Sequence, residues 1–213
     1  VDQVNSVCKQ VESIMMKRLS FEDTFGQVAN WIDDKQKTIG PLTLCATLPE
    51  KKVALNTNKN LLQDINLHKS IVEQLNDKIL GISDDDSNKR LQDTLSKYKS
   101  TATDISERIN TCENHITNHE NYLQILENCR DWLTALTTES LMIDDLTPTD
   151  KEDVENKLVT VENLLQQKAE GDKIIAACKD QLQVVLSETA EAGHPALLQE
   201  FEEQNKAWNA FLS

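Results

Sequence analysis

The sequence predicts an all-α fold: two tandem antiparallel three-helix bundles, residues 1–110 and 111–213, joined by one continuous helix. Three observations predict it. Apolar residues recur at three- and four-residue steps over long stretches, the period of a helix that buries one face. Five Gly and four Pro punctuate 213 residues, which leaves few places where a helix is obliged to stop. The order of apolar positions in the first half then returns in the second, the mark of an internal repeat.

Val4, Cys8, Val11 and Met15, followed by Phe21, Phe25, Val28 and Ile32, place a first helix over residues 2 to 38. "TIGPLTLCATLPEKK" interrupts it with Gly40, Pro41 and Pro49, and Pro49 suits the first turn of a new helix. That second helix carries Leu55, Leu61, Leu62, Ile65, Val72, Leu75 and Ile79 and ends near "GISDDDSN". There Gly81 can close one helix while Ser83 or an Asp caps the next, with negative charge at its N-terminus. Leu91, Leu95, Tyr98, Ala102, Ile105, Ile109, Cys112 and Ile116 form the third stripe. No Gly or Pro separates it from Tyr122, Leu126, Cys129, Trp132, Leu133 and Leu136. Residues 84 to 140 therefore read as one helix, about 85 Å long at 1.5 Å per residue. "LTPTDKEDV" starts the next, with Thr147 as N-cap and Pro148 in its first turn, and this helix carries Leu158, Val161, Leu164, Leu165, Ile174, Ile175, Cys178 and Leu182. "EAGHPALL" breaks it, and Leu197, Phe201, Trp208 and Phe211 mark a last short helix.

The repeat is legible position by position. Phe21, Phe25, Val28, Trp31 and Ile32 map onto Tyr122, Leu126, Cys129, Trp132 and Leu133 at a shift of 101 residues. Leu55, Leu61, Leu62, Val72 and Ile79 map onto Leu158, Leu164, Leu165, Ile175 and Leu182 at 103, and Leu91, Leu95, Ala102 and Ile105 onto Leu197, Phe201, Trp208 and Phe211 at 106. The shift grows only at the loops, as it does when helices keep register and turns absorb insertions. The expected structural core comprises Phe21, Phe25, Trp31, Tyr122, Leu126, Trp132, Leu164, Leu165, Phe201 and Trp208.

A three-helix unit of this size, with a Trp within its first helix and a continuous helix to the next unit, resembles the spectrin repeat. "VENLLQQKAEGDK" is similar to that family's second-helix pattern, and "GHPALLQEFEEQNKAWNAFL" to its turn and third helix. Three positions depart from the family: Ala102 stands where the third helix has a Trp, and His68 and Gly171 stand where an aromatic is frequent. The Asn-rich texture resembles giant tethers, nesprins foremost, more than spectrin or actinin. The resemblance implies a semi-rigid spacer that transmits force between a membrane anchor and the cytoskeleton, located at the cytoskeleton or on the cytoplasmic face of the outer nuclear membrane. Its implied partners are neighbouring repeats and a cytoskeletal or actin-regulatory protein.

Composition narrows the alternatives. A net charge of −14 opposes nucleic acid as a direct partner, since phosphates require Lys and Arg. Residues 1–80 hold ten acidic and ten basic side chains, so all of the acidic excess lies after Leu80. Cys8, Cys45, Cys112, Cys129 and Cys178 form an odd set without CxxC spacing and read as reduced core thiols of a cytosolic compartment. No apolar run reaches the roughly 18 residues of a membrane span. A chain opening Val1-Asp2 without Met reads as a piece of something longer.

Chemistry-bearing motifs are weak. Cys112, His115 and His119 share one helix face at i, i+3 and i+7, a metal-compatible spacing, but Cys112 belongs to an apolar stripe and the structural reading is preferred. Asp84, Asp86 and Asn88 open like a calcium loop, yet Lys89 stands where the loop needs Gly and Leu95 where it needs Glu. No catalytic triad order or phosphate loop is present, so neither enzyme activity nor a cofactor is expected. "GPLTLCATLP" puts Leu42, Leu44 and Leu48 in a turn that would ordinarily be polar. They either cap the bundle end or form a partner patch.

Overall fold

The computed structural model describes residues 2–80, 82, 84–144 and 150–213, with the backbone alone at residues 2, 142–144 and 164. Every regular element among them is helical: α1 (Asp2–Ile39), α2 (Leu48–Leu67), α3 (Lys69–Ile79), α4 (Asp85–Asp144), α5 (Lys151–Ser187), a 3₁₀ turn (Glu191–Gly193) and α6 (His194–Phe211). The residues fall into two compact units. Residues 1–42 and 55–111 make the first, and residues 43–54 and 112–213 the second. The loop ahead of α2 and that helix's first turns thus pack with the second unit, where the sequence places them in residues 1–110. The 60-residue helix α4 passes from one unit into the other without interruption.

In the first unit Phe21, Phe25, Val28 and Ile32 of α1 meet Val72, Leu75 and Ile79 of α3 and Leu91 of α4. A second cluster joins Ile65 of α2 to Ile105 and Ile109 of α4. The single second helix expected from the sequence is two helices, α2 and α3, divided at His68. His68 donates its backbone N–H to Asp64 and Ile65 at 3.3 and 3.2 Å, and its ring Nδ1 lies 2.9 Å from the Asp64 carbonyl. A side chain that competes for its own helix's carbonyls loosens the ladder at that turn.

Asp84 caps α4, where Ser83 and Gly81 lie outside the described residues. Its carboxylate accepts from Ser87 Oγ at 2.7 Å, Arg18 Nη2 at 2.5 Å and the Asp86 N–H at 3.3 Å. The Ser87 and Arg18 hydrogen bonds hold its pKa below the ordinary carboxylate range. The "DDDSN" acids thus serve the helix start.

The second unit places Tyr122, Leu126, Cys129, Leu133 and Leu136 of α4 against Cys178, Leu182 and Val185 of α5 and Leu197 and Trp208 of α6. Tyr122 is fully buried, and its hydroxyl donates to the Leu197 carbonyl at 3.0 Å. Thr147 and Pro148 lie outside the described residues. Helix α5 begins three residues later than expected, with Asp150 as N-cap accepting from the Asp153 N–H at 2.9 Å.

Two stretches of expected core are exposed. Val4, Cys8, Val11 and Met15 stand in the first five turns of α1, all of whose described side chains are exposed. Leu165 is 70% exposed, and Leu158 and Val161 are exposed with it. The first lies in α1 ahead of Phe21, where that helix's buried residues begin, and the second in the half of α5 ahead of Gly171, where its buried residues begin. The Leu164 side chain lies outside the described residues.

Equivalent positions in the two units fill the same space differently. In the first, Trp31 is half-buried and stacks on His68 with ring centroids 4.1 Å apart and planes 18° apart, and small Ala102 packs against the same cluster as Trp31. In the second, Trp132 meets Trp208 at 5.4 Å, and Trp208 donates its indole N–H to Asp172 at 3.0 Å. Gly171 occupies the position of His68. A Cβ there would lie 2.3 Å from Trp208 Cη2 and 2.7 Å from Trp132 Cη2. The first unit therefore supplies the extra ring from its second-helix segment and the second unit from its third helix, with the opposite position reduced to Ala or Gly.

Candidate functional site

The loop between α1 and α2 is built by backbone capping at both ends. Gly40, at φ 51°, takes the left-handed conformation that closes a helix and suits glycine. Arg108 of α4 donates to the carbonyls of Ile39, at 2.9 Å, and Gly40. At the other end Thr47 Oγ1 accepts from the Glu50 N–H at 3.3 Å while Glu50 Oε2 accepts from the Ala46 N–H at 2.9 Å. This is a reciprocal cap in which side chains satisfy donors that a helix start leaves open. Pro49 sits in the first turn of α2, where it forfeits no helical hydrogen bond.

The same loop is fastened inside the second unit. The Ala190 N–H donates to the Cys45 carbonyl at 3.1 Å, and Gly193 lies so close to Ala46 that a Cβ would come within 2.0 Å of its carbonyl oxygen. Buried Lys51 donates to Thr189 Oγ1 at 2.9 Å, which in turn donates to the Val185 carbonyl at 2.6 Å. His194 Nε2 lies 3.0 and 2.9 Å from the carbonyls of Leu186 and Thr189, and Lys52 pairs with Glu120 at 2.7 Å.

Burial lowers the pKa of Lys51, against the attraction of Glu188, and lowers those of His115 and His119. Burial, then nearby Cys112, raises that of Cys45. These are the signatures of a polar cluster confined at a bundle end. Lys51, Thr189 and Gly193 escape sequence reasoning because Lys51 and Thr189 are 138 residues apart. The one local signal is the Thr47-x-x-Glu50 pattern.

Of the candidate patch, Leu42 and Leu44 are 46% and 45% exposed, and Leu48 is half-buried at the start of α2. Among the core candidates Phe21, Phe25, Tyr122, Leu126 and Trp208 are buried, whereas Trp31, Trp132 and Phe201 are half-buried. Among the described residues no group of three or more His, Cys, Asp or Glu side chains is arranged to hold a metal ion, the Cys112, His115, His119 set included. No described helix is long and apolar enough to cross a membrane.

No family model matches the chain. Over 214 aligned residues it is 39% identical to Muscle-specific protein 300 kDa of Drosophila melanogaster, an alignment that takes in all of this chain and 2% of that protein's length.

Proposed function

We propose that this chain is a non-catalytic rod segment of two spectrin-type repeats in a giant, nesprin-like cytoskeletal tether, acting as a semi-rigid spacer that passes force along the polypeptide. The observation that carries this reading is the repeated core register combined with the uninterrupted run of α4 from one unit to the other. A sharp bend in such a helix must break backbone hydrogen bonds, and α4 contains no Pro or Gly to ease it. Similarity across the whole chain to 2% of a muscle-specific protein fits a module of a very long load-bearing molecule. Its working location is the cytoskeleton, up to the cytoplasmic face of the outer nuclear membrane. Its partners are neighbouring repeats and cytoskeletal or actin-regulatory protein, with no role for a cofactor or nucleic acid.

Single molecules held by their ends in an optical trap test the spacer. The expected record shows discrete unfolding steps that together release roughly 700 Å of contour, at about 3.3 Å per residue, and that refold when tension is lowered. Featureless extension removes the load-bearing role.

A second reading, a docking platform for an actin-regulatory protein, is favoured by one observation. Leu42 and Leu44 stay about half exposed although the adjoining loop backbone is fastened on both sides. Leu42→Asp with Leu44→Asp separates the two roles: a lowered melting temperature assigns the leucines to capping, whereas intact melting with lost actin-regulator binding assigns them to docking.

A further inference from the structure

Cys129 of α4 and Cys178 of α5 are 1% and 0% exposed and lie in one apolar cluster. Both pack in that cluster with Leu133, Leu136 and Trp208. A separate contact fixes the geometry: Cys178 Sγ lies 3.9 Å from the carbonyl oxygen of Ile125, one turn before Cys129 on α4. Helical side chains lean over the turn N-terminal to their own Cα, so Cys129 carries its sulfur toward that same spot. The repeat register adds an internal control. Cys129 corresponds to Val28 at the shift of 101 and Cys178 to Leu75 at 103, and both of those are buried in the first unit. Packing alone is met there by two aliphatic side chains, and the second unit has sulfur at both positions.

We infer that Cys129 and Cys178 form a redox pair that a peroxide converts into an intramolecular disulfide between α4 and α5. Either thiolate can start the reaction, and both orders close the same bridge. When Cys129 starts, its sulfur attacks one peroxide oxygen, the O–O bond breaks, and the departing hydroxide takes up the thiol proton as water, leaving a sulfenic acid on Cys129. Cys178 then attacks that sulfur: the S–S bond forms, the S–O bond breaks, and the hydroxyl leaves with the Cys178 proton as a second water. Two thiols lose two electrons and the peroxide gains them. The bridge requires the two sulfurs to come to about 2.05 Å with a Cβ–S–S–Cβ dihedral near 90°. A thiol reductant reverses the step by exchange.

The consequence is mechanical. Once the bridge is closed, the segment between the two cysteines becomes a loop, and α4 and α5 cannot separate fully when the unit opens.

The test uses the 213-residue chain, folded, treated with hydrogen peroxide, alkylated and mapped without reductant. The expected result is a Cys129–Cys178 linked peptide about 2 Da lighter than the two free peptides, from the loss of two hydrogens. It accompanies a raised melting temperature that returns to its starting value with dithiothreitol. Cys129→Val, the residue of the first unit, abolishes both changes, and the wild-type peptide map decides the matter even if that variant folds poorly. Free thiols at both positions after treatment, bridges to Cys8, Cys45 or Cys112 instead, or a bridge that leaves melting unchanged would each overturn the inference.

Discussion

Gly171 carries no side chain because two indoles occupy its space. Gly171→Ala must displace the Trp132 or Trp208 ring, and overpacking of this kind costs about 1 to 3 kcal/mol, read as a lowered urea midpoint. An unchanged midpoint would mean that the rings move aside freely. Trp31 sits differently: its stack on His68 leaves it half-buried, so it is both a core and a surface residue. The sequence makes the tryptophans conspicuous through their spacing but cannot show His68 covering one of them, because a periodicity records which face a residue is on and not what lies above it. Leu165 teaches the same point from the other side. Its register matches Leu62, yet it is exposed, ahead of the half of α5 that carries buried residues.

Helix ends were the most legible elements. Gly40, Pro49 and the acids before α4 act locally, and a cap needs only its own neighbours. The division of α2 from α3 was not legible, since His68 loosens the helix through a ring contact with α1 and a carbonyl of its own turn. In the sequence the loop ahead of α2 reads as an apolar turn, and its fastening through Lys51, Cys45 and Ala46 depends on α5 and the turn after it, far away in sequence. That cluster carries a pH prediction. Burial holds His115 and His119 below the ordinary imidazole range, with Lys51 adding to the effect at both, Glu188 opposing it at His115 and Glu120 at His119. The unfolded chain therefore takes up protons first as pH falls through about 6.5. Their contribution is complete above that pH and declines as pH drops toward the lower folded values. The urea midpoint of the second unit should fall between pH 7.5 and 5.5, and a flat profile would contradict the assigned burial of the two imidazoles.

At the scale of the molecule the repeat is the strongest message of the sequence, and the matched positions of α1 and α4 are buried alike. Phe21 and Tyr122, Phe25 and Leu126, Val28 and Cys129, Ile32 and Leu133 are buried at matched positions. Where the units differ, the difference is compensated: His68 with Ala102 in one, Gly171 with Trp208 in the other.

The central claim, that both units are copies of one design, is tested most directly by transplanting the second solution into the first unit. His68→Gly, Ala102→Trp and the double variant are to be unfolded in urea. Each single change should cost roughly 1 to 3 kcal/mol, one by leaving a void against Trp31 and the other by overfilling it. The double variant should recover at least about 1 kcal/mol of the summed loss, within the range of coupling seen for residues in contact. Strict additivity of the two losses would contradict the account, because it would mean that positions 68 and 102 do not share the space that positions 171 and 208 share.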